Sequence, residues 1–477
     1  MRLDEQLLKK AIPDASILHS VFPEDPTFSI DSRTVKKGDI FIALKGAIHD
    51  GHEFLQEALE KGAAGLFIAE DKQALLKSIN RTLLKNKLVI VVKDVLSALF
   101  ALVNVWRAQF DYPVVAITGS IGKTSTKEII GTILNMHAPD CYLISHANQN
   151  TKLGLALNIL RMRHHHKAAV FEVGVSKRGE MAERAALLKP TIALITGIGH
   201  SHMEGLGSLT DIAFEKRDIF KYFTESNIGI INGDLSILSQ VAYKHPVVKF
   251  GSKTSNQIQI RKMHAGDNQI TFVLKIYKTK HNITLNHTHH GMVYNATAAA
   301  TVAYLLDVPT QTIIKGIQTP VNVSGRFEQR FLPAKKGFII NDCYNANPES
   351  MKSSLLAFHA LRTKAQKILV LGDMLELGVN SPFWHRQLGR FLRKVSSLQH
   401  VILVGNLVKW TKKTLPIGLT WDTVSSWKEA ADLLNKKLSQ YSEKDELAIL
   451  VKGSRGVELD KLVEALAQKT KQKEHSN

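Results

Sequence analysis

Residues 114–136 join two apolar segments of different periodicity through a glycine-containing turn, and this pattern constrains the fold more than any other part of the chain. Residues 114–117 (Val-Val-Ala-Ile) are apolar and mostly β-branched, which predicts a buried parallel strand. Residues 126–136 carry apolar side chains at helical spacing and predict a helix. A helix that starts at a glycine turn directs backbone N–H groups and its dipole toward an anion. The sequence therefore predicts an α/β fold with an anion-binding loop at residues 118–125.

The loop itself, Thr-Gly-Ser-Ile-Gly-Lys-Thr-Ser, has the chemistry of a nucleotide site. Lys123 is expected to reach the terminal phosphates of ATP, and the Thr124 hydroxyl is expected to hold Mg²⁺. The full phosphate-loop motif has a glycine five residues before Gly122, where Ile117 stands, so this loop is a shortened version. The alternative is a plain glycine turn between a strand and a helix.

Charge limits the class of partner. The chain has 62 basic and 43 acidic residues and a formal net charge of +19, which favours anionic partners. Nucleic acid and a nucleotide-linked anionic substrate are both candidates. No segment demands a protein partner, so we expect a monomer.

Cysteine use and apolar patterning indicate the compartment. Cys141 and Cys343 lie far apart and match no metal spacing, which is typical of a reduced, cytosolic protein. The N-terminus has no apolar run like that of a signal peptide. The longest apolar stretch, residues 88–106, is interrupted by polar residues and is too polar to span a bilayer. We therefore expect a cytoplasmic protein without an integral membrane segment.

The order of strand and helix signals over 477 residues predicts an α/β fold of three domains. Residues 1–93 predict a small N-terminal α/β domain. Residues 94–325 predict a central phosphate-loop ATPase domain with a mainly parallel sheet, and residues 326–477 a C-terminal, Rossmann-like domain. Within residues 258–284 the apolar period shifts toward two, which predicts antiparallel strands in a smaller sheet beside the main one.

Several polar side chains lie near predicted strand ends. Glu172 ends a predicted strand, where a carboxylate beside a phosphate loop suits Mg²⁺, although a helix-capping or surface glutamate is the alternative. His202 lies in the loop after the predicted strand at residues 191–196. Ser32 and Arg33 could bind a phosphate through hydroxyl and guanidinium donors, or they could be surface residues beside a turn.

Two histidine-rich tracts, residues 164–166 and 287–290, invite interpretation as metal sites. Their spacing matches no recognised set of metal ligands. We predict that their imidazoles are solvated loop residues.

The motifs, taken in order, resemble those of the Mur ligase family over nearly the whole chain. The features similar to the family at large are residues 118–125, Glu172, His202 and Lys216. Five motifs are similar to one branch, which adds D-alanyl-D-alanine to UDP-N-acetylmuramoyl-tripeptide in peptidoglycan synthesis. They are residues 31–33 (Asp-Ser-Arg), 50–52 (Asp-Gly-His), 341–348 (Asn-Asp-Cys-Tyr-Asn-Ala-Asn-Pro), 372–378 (Gly-Asp-Met-Leu-Glu-Leu-Gly) and 451–455 (Val-Lys-Gly-Ser-Arg). The resemblance implies an ADP-forming amide ligase that uses ATP and Mg²⁺ and proceeds through an acyl phosphate.

The resemblance also implies the site residues of this chain. ATP would be bound by Gly119, Ser120, Gly122, Lys123, Thr124, Ser125, Asn295, Arg326 and Asp342. Mg²⁺ would be bound by Thr124, Glu172, His202 and Lys216. The substrates would be bound by Ser32, Arg33, Asp50, His52, Asn150, Thr151, Tyr344, Asn345, Asn347 and Arg455. The catalytic groups would be Lys123, His202, Lys216 and Arg326.

Four of these roles are implied in more detail. Asn295 would contact the adenine, Asp342 the ribose hydroxyls, and Arg326 the γ-phosphate from across a domain junction. Lys216 matches the position at which the family carries a carbamylated lysine. Carbamylation would turn this cation into an anionic metal ligand, whereas an unmodified lysine would pair directly with a phosphate.

The chain departs from the family pattern at three places. Residues 291–292 are Gly-Met where a His-Asn pair is usual on the adenine side, and Asn341 stands where aspartate is usual. Residues 148–152 lack the usual asparagine pair followed by an acidic residue. These departures affect the roles of Asn150 and Thr151 and one contact to adenine.

Two rival functions are compatible with parts of this sequence. One is another Mur ligase or a folylpolyglutamate-type ligase, and diaminopimelate and lysine both stay open as the third residue of the tripeptide. The other is a basic, nucleic-acid-binding phosphate-loop ATPase, which the net charge supports. The chain has no aromatic–basic stacking stripe, zinc cage or helix-turn-helix pattern, so we expect no nucleic-acid partner.

Overall fold

The computed structural model describes residues 3–146, 149–266, 268–332, 336–361, 365–395, 398–442 and 445–474. Asn148, one of the residues at which the chain departs from the family pattern, lies outside these ranges. The chain forms two compact units. The first comprises Met1–Ala116, Asp140–Gly174 and Ala182–Thr191, and the second comprises Ile117–Pro139, Val175–Met181 and Ile192–Asn477. The three domains with boundaries at residues 93 and 325 stay a prediction.

Helices and strands alternate along most of the chain. The helices are α1 (Glu5–Ala11), α2 (Leu55–Glu60), α3 (Arg81–Leu84), α4 (Val95–Arg107), α5 (Lys123–His137), α6 (Lys152–Ile159), α7 (Glu180–Leu188), α8 (Met203–Leu206), α9 (Leu209–Arg217), α10 (Ser236–Ser239), α11 (Gly291–Leu305), α12 (Thr310–Gln318), α13 (Pro348–Ala360), α14 (Ser381–Leu392), α15 (Trp427–Leu438) and α16 (Leu459–Glu474). The strands are β1 (Ser16–Leu18), β2 (Thr27–Ser29), β3 (Asp39–Ile42), β4 (Gly65–Ala69), β5 (Leu88–Val92), β6 (Val114–Thr118), β7 (Tyr142–Ile144), β8 (Ala168–Glu172), β9 (Ile192–Ile195), β10 (Ile228–Asn232), β11 (Val247–Gly251), β12 (Ile258–Ala265), β13 (Ile270–Ile276), β14 (Thr279–Leu285), β15 (Glu328–Phe331), β16 (Lys336–Asn341), β17 (Gln366–Gly372), β18 (Leu398–Val404), β19 (Thr420–Val424) and β20 (Glu446–Lys452). The predicted α/β class is confirmed. Within the described residues, none of these helices is both long enough and apolar enough to cross a membrane.

The first unit contains a five-stranded sheet in the order β1-β5-β4-β3-β2. Its pairs are parallel except at the edge, where β1 runs antiparallel to β5. Every residue of β5 is buried, which is typical of a strand covered on both faces. The same unit contains β7, β8 and residues 114–116 of β6, and these strands lie in the order β6-β8-β7. Two sets of predicted binding residues lie near the ends of these strands: Ser32 and Arg33 follow β2, and Glu172 ends β8.

The second unit contains six consecutive strands in the order β14-β13-β12-β11-β10-β9. The prediction of a separate small sheet is wrong, because β12 pairs with β11 in parallel through Ile258 opposite Phe250 and Gln259 opposite Gly251. The antiparallel pairs of β12 with β13 and of β13 with β14 are as predicted. The start of β12 is buried, and its parallel pairing with the edge of β11 continues the same sheet.

The second unit also contains a six-stranded sheet in the order β15-β16-β20-β17-β18-β19. Its four central strands are the four that the sequence predicted, and they pair in parallel. Apolar clusters cover both faces, which confirms the doubly wound, Rossmann-like arrangement. The sequence did not indicate β15 and β19, since these edge strands are only partly buried and lack a continuous apolar run.

Candidate active site

The predicted phosphate loop lies between β6 and α5. α5 begins at Lys123, directly after Gly122. Gly119 and Gly122 have φ angles of +147° and +85°, in the region that favours glycine. A Cβ atom on Gly119 would lie 2.1 Å from Oγ1 of Thr196, and one on Gly122 would lie 2.4 Å from Oδ1 of Asn295. Both glycines are therefore required by backbone conformation and by space.

Hydrogen bonds join this loop to the loop that follows β9. The backbone N–H of Ser120 donates to the carbonyl of Gly197 at 2.8 Å, and its hydroxyl donates to the carbonyl of Gly199 at 2.9 Å. The hydroxyl of Thr196 donates to the carbonyl of Ile121 at 2.5 Å. The two loops therefore form one hydrogen-bonded structure.

Two cations lie at the start of α5. Nζ of Lys123 donates to the carbonyl of Gly119 at 2.8 Å. Nη2 of Arg326 donates to the Thr124 hydroxyl at 3.0 Å, and its guanidinium lies 4.0 Å from the ring centre of Tyr344. Nε of Arg326 is buried and has no hydrogen-bond partner in the part of the chain that the structure describes. Two cations beside a helix N-terminus make a site for a polyanion.

Asn295 and Ser125 lie beside the same loop. Nδ2 of Asn295 donates to the sulfur of Met292, at 3.6 Å, so one of the two unusual residues at positions 291–292 is in direct contact with it. Ser125 is buried in the first turn of α5. The contact of Asn295 with adenine stays a prediction.

The Asp342 carboxylate is held by groups at the end of β20, on α13 and just before β15. Its Oδ2 accepts from Nζ of Lys452 at 2.8 Å and from the Ser354 hydroxyl, and its Oδ1 accepts from the backbone N–H of Phe327 at 3.0 Å. Lys452 is itself buried, so this ion pair fixes the end of β16. The predicted contact of Asp342 with ribose would have to share these oxygens.

Glu172 belongs to the first unit and ends β8. It is 2% exposed, and its Oε1 accepts from Nδ2 of Asn150 at 2.8 Å. Its Oε2 is also buried but has no hydrogen-bond partner among the described residues. A half-satisfied buried carboxylate needs a cation, so the fit to Mg²⁺ is good. Asn150 orients Glu172, whereas Thr151 caps α6 by accepting from the N–H of Gly154 at 3.2 Å.

His202 and Lys216 are placed by neighbouring elements of the second unit. His202 precedes α8, and its Nδ1 contacts Oε2 of Glu376. This ion pair lacks the alignment of a hydrogen bond at Nδ1, and the contact with His202 lowers the pKa of Glu376. Lys216 lies near the end of α9 and is 1% exposed. Within the described ranges, no three His, Cys, Asp or Glu side chains converge as a metal cluster.

Sequence reasoning missed the roles of two glutamates in this region. Glu376 contacts His202, and Glu349 binds His200 through Oε1 at Nδ1 and through Oε2 at the backbone N–H, the latter at 3.0 Å. Glu376 lies inside the motif at residues 372–378, which was the available signal. The sequence alone did not indicate a chemical role for this motif, because the contact of Glu376 with His202 depends on the tertiary structure.

Ser32 and Arg33 lie in a 3₁₀ turn of the first unit and face different surroundings. The Ser32 hydroxyl donates to Oε2 of Glu57 at 3.0 Å, so it is directed inward. The Arg33 guanidinium pairs with Asp31 at 2.6 Å and remains largely exposed. This hydrogen bond lowers the pKa of Asp31 to about 2. Of the two predicted substrate contacts, Arg33 is the one presented to solvent.

Asp50 and His52 form a local network after β3. Nδ1 of His52 contacts Oδ1 of Asp50 at 2.6 Å, and its Nε2 accepts from the N–H of Ala69 at 3.0 Å. Lys72 pairs with the other oxygen of Asp50 at 3.2 Å. Burial opposes the ionisation of Asp50, but these hydrogen bonds outweigh it and lower its pKa to about 2. The network stabilises the turn, and a role in substrate binding stays a prediction.

The residues predicted for the acceptor side lie at the start of α13 and after β20. Tyr344 has the guanidinium groups of Arg326 and Arg455 over its ring, at 4.0 and 5.9 Å. Asn347 caps α13, and Oδ1 of Asn345 accepts from the next backbone N–H at 2.8 Å. The structure therefore brings Tyr344 and Arg455 to Arg326, while Asn347 has a local structural role.

The prediction of solvated histidines is wrong for His166, His287 and His289. Nδ1 of His287 accepts from the N–H of His289 at 2.9 Å, and Nδ1 of His289 accepts from the N–H of Gly291 at 3.1 Å. Both rings pack on Phe327, with ring centres 5.5 and 5.4 Å away. Burial lowers the pKa of all three histidines to about 4. The members that are exposed, as predicted, are His164, His165 and His290.

These depressed pKa values predict an acid-sensitive fold. An unfolded histidine titrates near pH 6.5, so between pH 6.5 and 4 the unfolded chain binds more protons than the folded one. Above pH 6.5 this difference in proton binding costs no stability, and by pH 5 the lowered pKa values of His287 and His289 should each reduce the free energy of unfolding by about 1–2 kcal/mol. We expect the melting temperature to fall less between pH 7 and pH 5 in the double variant His287→Asn/His289→Asn, whose amide oxygens replace the Nδ1 acceptors. His290→Asn is the exposed control, and an equal fall in all three proteins would contradict the assignment.

Three family models match: "Mur ligase family, catalytic domain" at residues 27–107, "Mur ligase middle domain" at 117–303 and "Mur ligase, glutamate ligase domain" at 325–455.

Two curated relatives and two solved structures resemble nearly the whole chain. The UDP-N-acetylmuramoyl-tripeptide–D-alanyl-D-alanine ligase of Rickettsia prowazekii is 32% identical over 91% of this chain and 93% of that protein. The protein of the same name from Bacillus subtilis is 31% identical over 95% of this chain and 94% of its own length. A crystal structure of MurF from Acinetobacter baumannii has a TM-score of 0.82 at 26% identity and covers 98% of this chain and 99% of that one. MurF ligase from Thermotoga maritima in complex with ADP has a TM-score of 0.76 at 26% identity, with 94% and 99% covered.

Proposed function

Because the chain belongs to the Mur ligase family, we propose that it joins D-alanyl-D-alanine to the peptide carboxylate of UDP-N-acetylmuramoyl-tripeptide, converting ATP to ADP and phosphate in peptidoglycan precursor synthesis. The observation that carries the proposal is the contact of Arg326 with Thr124. It brings a cation from residues 326–477, here called the C-terminal segment, to the first turn of α5. A ligase must join an acceptor site to a phosphoryl-transfer site, and Arg326 also contacts Tyr344 on the proposed acceptor side.

The residues present fit a nucleotide with Mg²⁺. In the first unit, Glu172 has a buried carboxylate oxygen without a hydrogen-bond partner among the described residues, and we propose it as a ligand. In the second unit, the ligands that we propose are Thr124, His202 and the carbamylated form of Lys216. Because no cluster of three acidic, His or Cys side chains occurs in the described ranges, phosphate oxygens would have to complete the coordination, as is usual for Mg²⁺. When bound, Mg²⁺ neutralises phosphate oxygens and polarises the transferred group.

The chemical need is to activate a carboxylate, which is a poor electrophile at neutral pH. ATP supplies this activation, because its γ-phosphoryl group converts the carboxylate to an acyl phosphate, from which phosphate leaves when the amine attacks. Lys123 and Arg326 then have one task, to hold positive charge where negative charge spreads over the phosphoryl oxygens. Tyr344 orients the Arg326 guanidinium through its ring face. No covalent nucleophile from the enzyme is required.

The remaining assignments are parts of the same proposal. Residues 1–93 hold the UDP part, residues 94–325 hold ATP, and the C-terminal segment holds D-alanyl-D-alanine. Arg33 is the exposed candidate for the UDP side, and Arg455 is one for the acceptor side. The enzyme acts as a cytoplasmic monomer without nucleic acid.

Phosphate release with ATP and Mg²⁺ tests the proposal. The tripeptide nucleotide and D-alanyl-D-alanine are added separately and then together, with mass analysis of the product. We expect release that requires both, with one amide product. Release with a different acceptor amino acid would indicate another ligase of the family, and release stimulated only by polynucleotide would contradict the ligase function.

A further inference from the structure

Two histidines in the loop after β9 are held by carboxylates of the C-terminal segment. Nδ1 of His202 contacts Oε2 of Glu376, and Nδ1 of His200 contacts Oε1 of Glu349. Backbone hydrogen bonds reinforce both contacts. The N–H of Glu204 donates to the carbonyl of Glu376 at 3.1 Å, and the N–H of His200 donates to Oε2 of Glu349 at 3.0 Å.

The backbone at the first of these contacts has an uncommon conformation on both sides. His202 has a φ angle of +54° and Glu376 one of +62°. Residues other than glycine adopt this left-handed conformation rarely, and they keep it where the surrounding structure holds them there. Such residues concentrate at functional sites. Here two of them meet in a single contact.

The turn that carries Glu376 is fixed from three directions. The N–H of Met374 donates to Nε2 of His385 at 3.1 Å, and the N–H of Leu375 donates to the hydroxyl of Ser454 at 2.9 Å. Met374 and Leu377 are buried in the core of the C-terminal sheet. The carboxylate of Glu376 is therefore presented by a rigid turn and not by a free loop.

We propose that Glu376 is a positioning residue that orients the imidazole of His202 for metal binding. A carboxylate beside Nδ1 favours electrostatically the neutral ring form that carries its proton on that nitrogen, which leaves the electron pair of the ring on Nε2, where a metal ion can bind. This inference rests on the proposed function, which assigns His202 to Mg²⁺. Glu376 lies in the sequence motif at residues 372–378, but the sequence did not predict a binding or catalytic role for it.

The contact between His202 and Glu376 also links the nucleotide site to the C-terminal segment, where we propose that the acceptor binds. His202 lies in the loop that is hydrogen-bonded to the phosphate loop through Ser120 and Gly199, whereas Glu376 lies in the C-terminal segment. Metal affinity therefore depends on the placement of the C-terminal segment. Glu349 anchors the same loop at His200, where Trp384 packs on the ring with centres 4.3 Å apart, but it does not contact His202.

Mn²⁺ binding to the full-length chain tests the proposal without turnover. Free Mn²⁺ is measured by electron paramagnetic resonance in the presence of the β,γ-imido analogue of ATP. Glu376→Gln keeps the shape and removes the charge, and we expect it to weaken Mn²⁺ binding about 10-fold. Glu376→Asp keeps the charge and should recover part of the affinity. Asp432→Asn, which removes an exposed carboxylate from α15, should bind as the wild type does.

A double-mutant cycle separates positioning from a general structural effect. If Glu376 acts through His202, Glu376→Gln should change nothing further in a His202→Ala background. Wild-type affinity in Glu376→Gln would overturn the proposal, as would an undiminished effect in the His202→Ala background. Melting temperatures report folding, and Glu376→Asp carries the test if the Gln variant does not fold. Because neither tripeptide nor D-alanyl-D-alanine is present, a wild type that binds Mn²⁺ but forms no amide would contradict the proposed function alone.

Discussion

Replacing Lys123 by methionine is expected to lower kcat for amide formation by about 10³-fold, a loss of about 4 kcal/mol of transition-state stabilisation. Lys123 is the first residue of α5, and its ammonium lies over the loop, 2.8 Å from the carbonyl of Gly119. A cation held at this position needs little reorganisation to meet a phosphoryl group. Its removal should therefore lower kcat. Methionine keeps the apolar stem and removes only the charge. The measurement is steady-state phosphate release with both substrates saturating.

The control for Lys123 is another lysine of the same unit. Lys221 is exposed after α9, so Lys221→Met removes an equal charge away from the loop and should leave kcat unchanged. Nucleotide affinity is expected to weaken as well in Lys123→Met, since the ammonium attracts the phosphates before the reaction. A kcat within tenfold of the wild type would mean that Lys123 has no part in phosphoryl transfer.

The strand, loop and helix around Lys123 could be predicted because their signals are local. The buried run of β6, the two glycines and the helical spacing of α5 all lie within 114–136, and no distant residue is needed to interpret them. The central strands of the C-terminal sheet were predictable for the same reason. The edge strands β15 and β19 were not, because they are half-exposed and their pairing depends on strands distant in sequence.

The contacts that complete the site could not be predicted, because each joins residues far apart in the chain. Nothing local indicates that the buried Lys452 pairs with Asp342, or that Glu376 reaches His202. The burial of His287 and His289 was missed for the same reason, since Phe327 supplies the surface on which both rings pack. Sequence patterns identified the residues of the candidate site. The tertiary contacts determine which of these side chains are already engaged in hydrogen bonds, ion pairs or packing.

Three contacts connect the parts of the second unit that the reaction must coordinate. Ser120 joins the phosphate loop to the loop after β9, His202 joins that loop to Glu376, and Thr124 receives Arg326. Two of the three come from the C-terminal segment. The position of this segment therefore determines whether the nucleotide site has its full set of charges.

Arg326→Ala is expected to lower kcat by about 10³-fold while changing nucleotide affinity little, because an arginine supplied from another segment acts mainly on transition-state charge. In the ground state, the nucleotide phosphates would still be bound by Lys123 and by the N–H groups at the start of α5. Isothermal titration with ADP and Mg²⁺ gives the affinity, and phosphate release gives kcat.

Arg326→Lys distinguishes charge from geometry. Lysine keeps the positive charge but lacks the planar fork that reaches Thr124 while stacking on Tyr344, so it should restore only part of the rate. Arg390→Ala, which removes an exposed guanidinium from α14, should leave both kcat and affinity unchanged. Normal turnover in Arg326→Ala would contradict the view that the C-terminal segment completes the site. A large loss of ADP affinity with kcat preserved would instead make Arg326 a nucleotide-binding residue, present equally in the ground state and the transition state.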